Sequence, residues 1–98
     1  MSSINENLLQ YKGQPLVRCG NKIYYGDAGK EYILVLTILD SQKNQSGIEL
    51  PCRVLVQIQS TDPALALKKE KIVKETEKKS LYDALEIGSI WLYRELKA

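Results

Sequence analysis

Apolar and polar positions change their spacing several times along this chain, and each change marks a different kind of element. Two short runs, Val17-Arg18-Cys19 and Lys22-Ile23-Tyr24, flank Gly20-Asn21. Glycine at the first central position supplies the positive φ of a type II′ turn, whose twist suits two antiparallel strands. After a second turn at Gly26 to Gly29, the run Glu31 to Leu39 is β-branched and apolar on both faces. That is the pattern of a central strand covered on both sides. Asp40 to Gly47 is a polar connection, long for a hairpin and therefore a candidate contact loop. From Pro51 to Ser60 the alternation is regular: Cys52, Val54, Val56 and Ile58 point one way, Arg53, Leu55, Gln57 and Gln59 the other. One face of that strand is buried and the other partly solvated.

Helical spacing is expected at both ends. Ser3-Ile4-Asn5-Glu6 has the form of a capping box, and Ile4, Leu8 and Tyr11 share one helical face before Gly13 and Pro15. A short N-terminal helix is therefore predicted. Asp62-Pro63 reads as an N-cap followed by proline at the first helical position, where its missing N–H costs nothing. The segment beyond it, Lys68 to Lys79, places Glu70–Lys74 and Glu75–Lys79 at i,i+4 spacing, which favours a solvated helical face. Ser80 then opens the strongest helix, residues 80–97, with Asp83 as a short-armed capping partner. Leu81, Ala84, Leu85, Gly88, Leu92 and Leu96 form one stripe, with Trp91 at its edge.

These elements predict a single α+β domain over residues 1–98. About four antiparallel strands between residues 16 and 60, as a sheet or partly open barrel, pack against C-terminal helices, the main one being 80–97. The inner sheet face should come from residues 34–38 and 54–58.

Composition narrows the chemistry more than it reveals it. The 98 residues contain no histidine, which removes the commonest general base and the commonest metal ligand. The net charge of +2 implies neither a nucleic-acid nor a membrane partner by itself, and its excess lies after residue 67. Cys19 and Cys52 belong to no metal-binding spacing and sit in strand-like runs, where a free cysteine behaves as a small buried hydrophobe. No apolar run reaches the ~20 residues that a membrane-spanning helix needs, and the first ten residues lack a secretory pattern. A cytoplasmic location is expected, with free thiols. Gly26-Asp27-Ala28-Gly29 before Lys30 is not a phosphate-binding loop, because a strand rather than a helix follows. No catalytic, cofactor-binding or metal residue is assigned.

Two sets of residues are candidates for binding. Tyr82, Ile87, Ile90 and Tyr93 lie on the side of the last helix opposite its apolar stripe, where a surface helix should be polar. Either that helix sits in a groove of its own domain, or the side meets a second chain. In so short a chain the second is favoured, with Ile87, Ile90 and Tyr93 as the oligomer interface and Gly88 near a helix crossing. The other set is Tyr24 and Tyr32 with Lys68, Lys71 and Lys74, an aromatic and basic combination of the kind that holds single-stranded nucleic acid. Residues 13–26, from Gly13-Gln14-Pro15-Leu16 to Tyr24-Tyr25-Gly26, and Lys79 to Leu85 look like segments of short bacterial proteins of unknown function. That resemblance covers about a fifth of the chain; it implies a bacterial cytoplasmic origin and no activity. The expected function is a non-catalytic interaction module acting as a homo-oligomer or assembly subunit, with a small nucleic-acid-binding domain as the alternative.

Overall fold

In the computed structural model, which describes residues 8–27 and 29–97, six strands follow one another as an antiparallel meander and a single helix closes the chain. The strands are β1 (Leu8–Tyr11), β2 (Gln14–Cys19), β3 (Lys22–Tyr25), β4 (Tyr32–Lys43), β5 (Glu49–Ser60) and β6 (Ile72–Lys78); the helix is α1 (Leu81–Lys97). They form one open sheet in the order β1-β2-β3-β4-β5-β6. The architecture is α+β. The four strands expected between residues 16 and 60 are β2 to β5, and the sheet gains one strand on each side of them.

Both additions replace an expected helix. Leu8 to Tyr11, taken as the end of an N-terminal helix, pairs with Gln14 to Val17 as β1; the capping box at Ser3 to Glu6 lies outside the described residues. Lys12 (φ 52) and Gly13 (φ 79) make the two-residue turn between them, both in the left-handed region that a type I′ hairpin requires. Ile72 to Lys78, expected to be helical, pairs with Val54 to Gln59 as β6. Asp62 does cap a helical turn, its Oδ1 accepting the Ala64 N–H at 3.0 Å, but the turn is a 3₁₀ segment of three residues, Pro63–Leu65. A second such turn, Lys69–Lys71, leads into β6.

Elsewhere the local pattern and the fold agree. Gly20 has φ 64 while Asn21 does not enter the positive-φ region, as a type II′ turn demands. The polar connection is shorter than expected: β4 and β5 run to Lys43↔Glu49, past register shifts around Asp40, and only Asn44 to Ile48 connect them. Asn44 organises that loop, its Oδ1 accepting the Ser46 and Ile48 N–H groups at 2.9 and 3.0 Å. At the start of α1, Ser80 Oγ accepts the Asp83 N–H at 3.1 Å, a standard N-cap.

The core lies between α1 and one face of the sheet. Ile23, Tyr25, Leu34, Leu36, Val54, Val56 and Ile58 meet Ala84 and Leu92 there, each no more than 3% exposed. Leu81, Leu85, Trp91 and Leu96 pack around them as the stripe predicts. Gly88 belongs to this layer: it lies against Leu34, so it is not available to a helix crossing with another chain. The helix covers β4, β5 and β6. In the strand β4, expected to be covered on both sides, Leu34 and Leu36 are buried under α1 and Val35 is buried on the opposite face.

Candidate functional site

Because α1 lies toward β4–β6, a groove opens between its C-terminal half and the first hairpin. Lys12 and Gln14 line one wall, Ile90, Tyr93 and Leu96 the other, and Tyr25, Ser89 and Leu92 the floor, around a volume of about 380 Å³. The polar groups in it are mostly engaged. The Tyr25 hydroxyl donates to the Tyr11 carbonyl at 2.7 Å, and the two rings meet edge to face with centroids 5.7 Å apart. Burial, then the neighbouring Tyr11, pushes the Tyr25 phenol above its ordinary pKa. Ser89 is buried and its hydroxyl donates to the Glu86 carbonyl at 3.0 Å. The Lys97 ammonium lies 5.1 Å from the Tyr93 ring centre and donates to that tyrosine's hydroxyl at 3.3 Å. What this groove offers is apolar contact area, with Lys12 as its one cation. It holds no paired acid and base.

The expected interface residues divide here. Ile90 and Tyr93 stand on the groove wall, 39% and 63% exposed, and Tyr82 is exposed further along the helix. Ile87, placed with them from the sequence, is half-buried and packs against the core instead. Its position on α1 lies closer to the stripe than a strict two-sided division allows.

The aromatic and basic residues do not assemble into one surface. In the ladder Tyr24 stands beside Val35, on the face away from α1, whereas Tyr32 packs toward the core on the α1 side. Lys68 precedes the second 3₁₀ turn and Lys71 ends it. Lys74 lies in β6 with its ammonium 5.1 Å from the Trp91 ring centre, a cation–π contact within the chain. The helical lysine face expected over 68–79 is therefore replaced by one 3₁₀ turn, Lys69–Lys71, and the strand β6.

The cysteines depart from expectation as well. Cys19 is exposed and Cys52 half-buried, both as free thiols. Cys19 ends β2 opposite Lys22, on the side of the sheet away from α1, where its strand-like surroundings do not bury it. Among the described residues no cluster of three or more potential metal ligands occurs.

The other face of the sheet is the one turned away from α1. Val17, Tyr24, Ile33, Val35 and Leu55 lie on it, and it ends at β6 in Glu75 and Glu77. Arg53 Nε and Nη2 donate to Glu77 Oε2 and Oε1 at 2.9 and 3.3 Å. Those hydrogen bonds hold the Glu77 carboxyl below the usual range and raise the Arg53 guanidinium further. The apolar odd positions of β4 signalled a second buried face in the sequence, and Val35 there is 1% exposed.

No protein-family model, no curated protein and no solved structure matches this chain significantly. The fold itself defines an α+β protein, an open six-stranded antiparallel meander backed by one helix. No helix among the described residues is long and apolar enough to cross a membrane.

Proposed function

We propose that this chain is a non-catalytic interaction module of the cytoplasm, acting as a homo-oligomer or as a subunit of an assembly. The observation that carries the reading is the outer flank of α1. Ile90 and Tyr93 remain exposed beside an apolar groove whose polar atoms are largely satisfied from within the chain. Large apolar and tyrosine side chains standing together at a groove suit the centre of a protein contact. The hydroxyls of Tyr25 and Ser89 in that groove donate to backbone carbonyls of the chain itself, which suits a contact surface better than a reacting site.

Sedimentation velocity tests this directly. The wild type should sediment above the monomer at tens of micromolar, and Ile90→Glu, at an exposed position, should stay folded and associate more weakly. A wild type that remains at 11.1 kDa over that range refutes self-association. An Ile90→Glu protein that loses its fold shows that this flank belongs to the core of its own chain.

A further inference from the structure

The groove beside α1 is an apolar slot with one charged group at its mouth. Its floor is closed: Tyr25 and Leu92 are each 3% exposed, and the Tyr25 and Ser89 hydroxyls both donate to backbone carbonyls. Ile90, Tyr93 and Leu96 form one wall, and the volume of about 380 Å³ falls in the ~300–1,000 Å³ range of small-molecule sites. The opposite wall carries Lys12 and Gln14, whose ammonium and side-chain amide can both donate, and among the described residues no carboxylate lines the groove. Lys12 holds this place against its local preference. With φ 52 it occupies the first central position of a type I′ turn, where asparagine or glycine is favoured and the backbone of a lysine is strained. Its ammonium lies 5.4 Å from the Tyr11 ring centre, and that ring meets Tyr25 of the floor edge to face. Among the described residues this cation forms no ion pair.

We propose that the groove binds a small apolar monocarboxylic acid, its chain lying along Ile90, Tyr93 and Leu96 and its carboxylate received by Lys12 and the Gln14 amide. One cation balances one negative charge. A phosphate monoester brings nearly two, and the second would stand uncompensated beside an apolar wall. An alcohol of the same length lacks the charge-assisted hydrogen bond, and an alkylammonium meets Lys12 as a like charge. The apolar chain gains by leaving water against the wall, so a carboxylate without a chain has little to hold it. This site goes beyond the reading of the chain as an interaction module, because it needs no second protein.

Titration of the full chain with octanoate, followed through the backbone amide signals in nitrogen–proton correlation spectra, tests the assignment. Saturable shifts are expected at Lys12, Gln14, Ile90 and Tyr93. Octan-1-ol and octylammonium should bind roughly tenfold more weakly, and acetate should give no saturable shift. The decisive variant is Lys12→Asn, which suits the turn better and should therefore keep or raise the urea midpoint. It should nevertheless weaken octanoate about tenfold and leave octan-1-ol unchanged, a combination that a purely structural lysine would not give. Lys12→Arg keeps the charge and should bind octanoate within about threefold of wild type, and raised salt should weaken octanoate but not the alcohol. Equal affinity for octanoate and octan-1-ol, Lys12→Asn without effect, or no saturable shift at these amides overturns the proposal. If octanoate fails while an acetyl-capped dileucine with a free carboxyl end moves the same amides, the groove takes the end of a protein chain; the small acid is then overturned and the interaction module stands. A chain that takes octanoate at these amides yet sediments as a monomer upholds this site and refutes self-association, so the two readings fail separately.

Discussion

Replacing Gly88 by alanine tests the seat of α1 on the sheet, and two opposing effects make the sign of the result informative. A methyl group at position 88 would lie 2.6 Å from both Cδ1 and Cδ2 of Leu34 and 3.2 Å from its Cγ. Carbon atoms in contact prefer ~3.5–4.0 Å, so Leu34 would have to retreat by about 1 Å. Its side chain is 0% exposed and sits in the ladder between Tyr25 and Ile58, with no open side to move into. Overpacking of this kind costs ~1–3 kcal/mol. Against it stands the better helix propensity of alanine, worth ~1 kcal/mol over glycine. The expected outcome is a net loss of about 1 kcal/mol, read as a lowered urea midpoint at unchanged slope. For a domain of this size that is a fall of roughly 4–8 °C in Tm. In a Leu34→Val background the second methyl has room, so the same glycine replacement should cost less or become favourable. If Gly88→Ala alone raised stability by the full propensity increment, α1 would not rest on Leu34 and the core described above would be wrong.

Other consequences follow from the same packing. Leu92 is 3% exposed and Leu85 half-buried, so Leu92→Ala should cost ~2–5 kcal/mol in chemical denaturation and Leu85→Ala clearly less; equal values would refute the burial order. Tyr25→Phe removes the hydrogen bond to the Tyr11 carbonyl and should cost ~0.5–1.5 kcal/mol at neutral pH. The Tyr25 phenol is raised in the folded state, so its contribution is complete below the ordinary tyrosine range and is lost as pH rises through that range and beyond. Alkaline denaturation should accordingly be less steep in the phenylalanine variant, and identical profiles would count against the burial assigned to this hydroxyl. Cys19 should react with a thiol reagent faster than Cys52 under native conditions, and the reverse order would contradict their exposures.

What the sequence determined by itself is the set of elements whose local spacing leaves one solution. Gly20-Asn21 supplies its own positive φ, the alternation from Cys52 to Gln59 defines two faces, and the stripe from Leu81 to Leu96 after Ser80 defines a capped helix. Ile90 and Tyr93 were legible as outward groups for the same reason, being out of phase with that stripe. Tertiary structure decided the segments whose local preferences are weak. Ile72 to Lys78 carries i,i+4 charge pairs worth only ~0.2–0.5 kcal/mol each. As β6 it gains ladder hydrogen bonds from β5, an ion pair from Glu77 to Arg53 and the Lys74 contact with Trp91. Leu8 to Tyr11 is too short to hold a helix alone, and the hairpin turn at Lys12-Gly13 gives it a strand partner. Which elements bury the faces of an apolar strand is equally invisible locally, because β4 reads the same whatever lies over it. The position of α1, over β4 to β6 and on one face, opens the groove beside Ile90, while Cys19 stands exposed on the opposite face. Spacing along a chain specifies which side chains share a face; what lies over that face is set by the packing of elements distant in sequence.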